Sequence, residues 1–132
     1  KYAELAPYLN IEERLRMVDG EIFGKVLDPN ECRTRARSLK GDPPDGMPNP
    51  VLHHDMPCNK EMNMWFMAHG LDVNDPTFTR YVPKEKHDFW HYGENGGFFN
   101  AEWRRVISEE PPEGYTRDQV IAEMLRIRGQ TP

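Results

Sequence analysis

The stretch VLHHDMPC, residues 51–58, sets two histidines side by side behind two apolar residues and follows them closely with a proline. Consecutive side chains on a strand point to opposite faces, so His53 and His54 cannot serve the same point and are free to take different tasks. All five histidines fall between His53 and His91, which concentrates the imidazole chemistry in one third of the chain. His87 and His91, in KEKHDFWHYG, share one face of a helix about one turn apart, a common way to hold a transition metal. The same spacing would equally suit two partly exposed histidines flanking a buried Phe89 and Trp90. The doublet supplies what a helical pair lacks: a third ligand from a separate element and a further imidazole pointing elsewhere, so that if His53 faces a metal, His54 beside it can face a substrate.

That division suits phosphodiester hydrolysis, which needs a deprotonated water, a cation to neutralise the phosphate, and stabilisation of the departing alkoxide. A histidine with an ordinary pKa near ~6.5 is a competent base at neutral pH. Three neutral imidazoles leave a divalent ion its full charge and open positions. They favour zinc or nickel over magnesium, which prefers oxygen ligands but stays open as a choice.

These residues must be positioned by elements the sequence announces. Asn10 and Glu13 introduce a first helix, NIEERLRMV, with Ile11, Leu15 and Val18 on one face. The run DPPDGMPNP, residues 42–50, is a turn-rich connection. KEMNMWFMAHG places Met62, Trp65, Phe66 and His69 on one helical face and ends at Gly70. LDVNDPTFTRYVP reads as an extended connection or short strand, and KEKHDFWHYG as a helix broken at Gly93. After the glycine-rich GENGG, NAEWRRVI is expected to be a helix capped by Asn100, with Trp103, Val106 and Ile107 inward. Thr116 and Gln119 form a capping-box pattern ahead of a last helix closed by Gly129.

With 132 residues, 37% hydrophobic and 30% charged, the chain suits one soluble, loop-rich α+β domain dominated by helices. Residues 1–50 form a helical and loop region of unknown role, and residues 51–132 carry the chemistry, the two expected to make one unit. The chain opens on Lys1, as a processed product or excised domain would, and no run is long and apolar enough to span a bilayer, so no membrane contact is expected. Cys32 and Cys58 fit no metal-binding spacing; one bridge and two free thiols are both open, with free thiols the expectation. The net charge of −5 argues against a generic nucleic-acid coat. Local basic patches remain in CRTRARSLK (Arg33, Arg35, Arg37 and Lys40) and in Arg104 and Arg105.

The order His-His, connection, His-x-x-x-His on a helix resembles the ββα-metal (HNH, His-Me finger) site of the nuclease colicins. More widely, LHHDMP, AHGLDVND, VPKEKHDFWH, the glycine loop and NAEWRRVI resemble the HNH/endonuclease VII-like toxin domains of bacterial polymorphic toxins, especially those of predicted myxobacterial lipoproteins. The likeness spans residues 51–107. It implies a ββα-metal core, metal ligands at His53, His87 and His91, a general base at His54, and Asn100 as a candidate orienting residue. It also implies a nucleic-acid substrate, DNA ahead of RNA; the six basic residues named above are candidate contacts to it by their charge alone, because residues 1–50 lie outside the likeness and CRTRARSLK takes no role from it. The setting implied is an antibacterial toxin, secreted or delivered by its producer, acting in the target-cell cytoplasm and countered by a cognate immunity protein. The chain departs from the family pattern at Cys58 and Asn59, at Phe99 in place of a Trp, and in a longer connection from His54 to His87.

Other readings attach to the remaining residues. His69 suits a structural place at a helix C-terminus, and Trp65, Trp90 and Trp103 suit the core. Asp55 and Asp88 are candidate acceptors for ligand imidazoles. Two rivals to the nuclease are a non-enzymatic domain whose four histidines close a structural zinc site and an acidic binding or immunity-type module suggested by the net charge.

Overall fold

The computed structural model describes residues 28–92 and 98–130. The expected helix NIEERLRMV and the GENGG loop lie outside them. The described residues form helix α1 (Pro29–Lys40), strand β1 (Pro50–His54), helix α2 (Lys60–Ala68), a single 3-10 turn (Pro76–Phe78), strand β2 (Thr79–Pro83), and helices α3 (Lys84–Tyr92), α4 (Phe98–Ser108) and α5 (Arg117–Gln130). This is an α+β domain dominated by helices. Its small sheet is the antiparallel pair β1–β2, in which His53 stands opposite Arg80 and His54 opposite Thr79. Pro50 and Pro83 face each other at the outer end, where their missing N–H groups break no ladder bond inside the sheet.

Helices α1, α2 and α5 begin where the sequence supplies a partner for orphan backbone donors. Asp28 caps α1 through the Glu31 N–H, with Pro29 preset for the first turn. Asn59 caps α2 through the Glu61 and Met62 N–H groups. Thr116 and Gln119 form the expected capping box, each side chain accepting from the other's backbone N–H at 3.1 and 2.8 Å. β2 runs straight into α3, whose leading N–H, that of Lys84, donates to the Asn49 carbonyl at 2.9 Å. Asn49 itself has φ 44°, a left-handed conformation that asparagine tolerates.

Two expected boundaries differ. Asn100 lies within the first turn of α4, which starts at Phe98, so it is no cap; the two phenylalanines before it are drawn into the helix because Phe99 is a core residue. Gly129 does not close the last helix, which continues to Gln130. The expectation of free thiols is also corrected: Cys32 and Cys58 form a disulfide with Cα atoms 6.0 Å apart, and no described cysteine is free. Cys32 and Ala36 make the buried stripe of α1, and Cys32 joins the same core cluster as Met56 and Cys58 of the segment following β1. The bridge unites residues 26 apart in sequence, a pairing that only tertiary packing brings about.

Trp65 and Phe66 of α2, Phe99, Trp103 and Ile107 of α4, and Val120 and Ile127 of α5 are buried in one continuous core. All three tryptophans belong to it. His69, expected to be structural, is buried, with Nδ1 2.6 Å from the Trp65 carbonyl oxygen and Nε2 2.5 Å from Glu110 Oε2. Glu110 also accepts from Trp65 Nε1 at 3.2 Å and the Tyr115 N–H at 3.0 Å.

Around β1 the ties converge on Asp55. Its carboxylate is fully buried and accepts from Arg80 of β2 and Arg128 of α5, its N–H donates to the Phe78 carbonyl at 2.8 Å, and its carbonyl accepts from Trp103 Nε1 at 2.8 Å. Burial alone would raise the Asp55 pKa. His53 and the two guanidinium groups outweigh it and hold the carboxyl below its usual range. Asp55→Asn should therefore cost about 2–4 kcal/mol of stability, less than the full cost of breaking a sealed ion pair because both arginines keep contact with water. Denaturant midpoints of the two proteins measure this, and a change within ~0.5 kcal/mol would mean that the carboxylate does not organise the fold.

Candidate metal centre

The sheet and α3 separate the doublet as strand geometry requires. His53 is fully buried and turns toward α3 and α4, its ring centroid 5.8 Å from that of His87, 5.6 Å from His91, 4.9 Å from Trp90 and 4.6 Å from Phe99. His87 and His91 lie one turn apart with centroids 4.4 Å from each other. One ring nitrogen from each of the three falls within 4.8 Å of the others. His54 turns the other way, toward the loop before β2 and the disulfide. Its Nε2 lies 2.9 Å from Asn74 Oδ1 and 3.2 Å from Cys58 Sγ.

The residues of the triad fit a cation. Neither ring nitrogen of His53 makes a hydrogen bond, although both are sealed from solvent; an uncompensated buried polar group of this kind is costly without a partner. Asp55 Oδ1 stands 3.4 Å from His53 Nε2, in the position of a carboxylate that orients a metal-binding imidazole. Asp88 Oδ1 is 3.8 Å from His87 Nδ1, a weaker version of the same relation. Burial pushes all of these imidazoles below the usual histidine value. For His53 it outweighs the contrary pull of Asp55, for His87 the neighbouring His53 adds to it, and His91 is driven down to about 4 by burial and then by His87 and His53. The triad is neutral at pH 7, the state a metal requires of its ligands.

At His54 the hydrogen bond decides the tautomer. An amide oxygen only accepts, so Nε2 carries the proton and Nδ1 keeps its lone pair. Burial lowers the His54 pKa more than the Asn74 bond raises it, which leaves the ring neutral and basic at Nδ1. Asn74 is buried and held in an Asx turn by its own N–H to Asp72 Oδ1 at 2.9 Å. Sequence reasoning passed over it: DVNDP reads as a connection, and nothing local says that its Asn meets a histidine twenty residues earlier.

His54 and the two helical histidines of the triad meet at a cleft of about 320 Å³ lined by His54, His87, His91, Asn100, Arg33 and Leu52, among others. Asn100 contributes a buried Oδ1 with no hydrogen-bond partner. Of the six basic candidates only Arg33 lines the cleft, its Nη2 resting on Asn30 Oδ1 at 2.5 Å. Arg35 and Arg37 are exposed elsewhere on α1, and Lys40 donates to the Pro76 carbonyl. Arg104 is exposed on α4, and Arg105 is engaged by Glu102 and Glu109, each at 2.7 Å. Phe89, read as a buried neighbour of Trp90 in the alternative to a metal pair, is instead exposed on α3. Comparison with protein-family models, curated proteins and solved structures finds no match to this chain.

The suppressed protonation of the histidines has a stability consequence. Unfolded, each imidazole takes up a proton near ~6.5; folded, His91 resists down to about 4 and the other three also stay neutral below the ordinary value. The unfolded chain binds more protons in that window, so metal-free protein should lose stability as pH falls from about 6.5 toward 4. Denaturant midpoints followed across that range measure the slope. The same slope in a variant with His87 and His91 both replaced by Ala would trace it to other groups.

Proposed function

We propose that the chain is a metal-dependent nuclease that hydrolyses phosphodiester bonds, with DNA favoured over RNA. The observation that carries this reading is the division of the doublet: His53 joins His87 and His91 in a three-nitrogen group, while His54 is set apart on the same cleft with a fixed tautomer. Zinc or nickel suits that group better than magnesium. An ion held there would supply positive charge for the phosphate and for the departing oxygen. The chain's own residues do the rest. His54 Nδ1 takes the proton of the attacking water, and Asn74 keeps Nε2 protonated so that Nδ1 stays available. Arg33 offers charged donors to a phosphate oxygen at the rim, and the unpartnered Oδ1 of Asn100 offers an acceptor.

A purely structural zinc site would need a fourth donor to close. Among the described residues the group around His53 has three, and His54 faces away from it, which favours the open, reactive reading. The toxin role, delivery into a competing cell and a cognate immunity protein rest on the resemblance to polymorphic-toxin domains alone.

Plasmid incubated with the protein should be cut when divalent metal is present and spared by a chelator. Uncut plasmid with zinc, nickel and magnesium alike would sink the nuclease reading. His54→Ala should bind metal as the wild type does and lose ~10²–10⁴ in cleavage rate, whereas His87→Ala should lose metal affinity and cleavage together, as calorimetry and gel assays would show. Cleavage should rise with pH through an ionisation below the ordinary histidine value of about 6.5, because burial depresses His54. That rise should vanish in His54→Ala.

A further inference from the structure

On the far side of the doublet from the histidine triad, a second set of donors converges. Cys32 Sγ, Cys58 Sγ and His54 Nε2 lie within 4.8 Å of one another. Asn74 Oδ1 stands 2.9 Å from Nε2, 3.4 Å from Cys32 Sγ and 4.0 Å from Cys58 Sγ. All four residues are buried. They come from α1, the end of β1, the segment after it and the loop ahead of β2. In the oxidised protein the sulfurs satisfy each other as a disulfide. A buried disulfide could serve stability anywhere in a core; this one has an imidazole nitrogen and an amide oxygen aimed at it.

We propose that reduction of Cys32–Cys58 opens a second cation site, selective for a soft divalent ion such as zinc, with Cys32, Cys58 and His54 as ligands and Asn74 Oδ1 as the fourth donor. Two thiolates and an imidazole are a donor set that zinc takes readily. The step balances: a dithiol reductant gives two electrons and two protons to the disulfide, becoming a disulfide itself, and the ion then displaces both thiol protons to solvent. Ligation through Nε2 expels its proton, and the ring, if it stays neutral, takes one up at Nδ1. On the nuclease reading of His54, from which this silencing follows, the ion would remove the base from the reaction. The chain would then be active when oxidised and silenced when both a reductant and a soft cation are at hand.

The test uses cobalt as the ion, because thiolate ligation gives it an intense near-ultraviolet charge-transfer band that nitrogen and oxygen ligands do not. The full chain is titrated with cobalt before and after reduction by a water-soluble phosphine, which adds no thiol of its own. The oxidised protein should show no such band. The reduced protein should bind one more cobalt per chain with the band, and Cys32→Ser and Cys58→Ser should each abolish it. His54→Ala should weaken the band-forming event at least about tenfold, the least that losing a group beside a metal ligand costs. His87→Ala, which lacks a triad ligand, should keep the band. Reduced protein with two titratable thiols and native circular dichroism but no band would overturn the proposal, as would a band surviving in Cys32→Ser. Should reduction unfold the chain, cobalt must restore its circular dichroism, and failure to do so counts against the site equally. A band without plasmid cleavage in any state would leave the site standing and remove the nuclease reading instead.

Discussion

The buried carboxylate of Asp55 is the constraint from which the rest of the architecture follows. It directly follows the histidine doublet, and its contacts reach β2 through Arg80, α5 through Arg128 and the triad through His53, while the backbone carbonyl of the same residue accepts from Trp103 of α4. A charge so deeply placed is tolerable only when paired and hydrogen-bonded on several sides. The elements supplying those partners are therefore obliged to stand where they do. The same two oxygens thus tie the packing of the fold to the placement of a candidate metal-holding imidazole.

From that anchor the two faces of one strand acquire opposite characters. Toward α3 and α4 the surroundings are aromatic, with Trp90 and Phe99 edge-on to His53, so imidazoles stay neutral because water is excluded. Toward the loop ahead of β2 the surroundings are polar and sulfur-rich, with Asn74 and the disulfide against His54. Identical side chains one residue apart thus differ in hydrogen bonding and in their neighbours. Chemistry here is assigned by environment and not by residue type.

Local patterns carried much of this into view from the sequence. Apolar spacing located α2, α4 and α5; the Thr116–Gln119 box marked the start of α5; and short-range rules, helical spacing and strand alternation, paired His87 with His91 and split the doublet to opposite faces, while the full triad was implied by the family resemblance. What escaped was long-range or dependent on competition. The Cys32–Cys58 bridge, the Asn74 contact and the Arg128–Asp55 pair join segments that no local rule connects. Asn100 has good capping chemistry, yet burial of Phe99 outweighed it and moved the helix start upstream. Arg33 was indistinguishable from Arg35 and Arg37 until the placement of α1 brought one of them to the cleft.

Residues 55–78, with helix α2 among them, separate β1 from β2, so no tight turn fixes how the two strands align, as it would in a short hairpin. A slip of β1 by one residue reverses every side chain. Elsewhere this would empty a position, but a doublet is its own decoy: one slip delivers His54 to the triad in place of His53 and leaves Asp55 in the place of His54. Metal would find three imidazoles in the mispaired chain as well, and could reward the error. Proofreading of the alignment must then come from groups that tolerate no substitute. The Asp55 N–H to the Phe78 carbonyl, its carbonyl to Trp103 and its carboxylate to two arginines are such groups, and they stand at the residue next to the ambiguity they resolve.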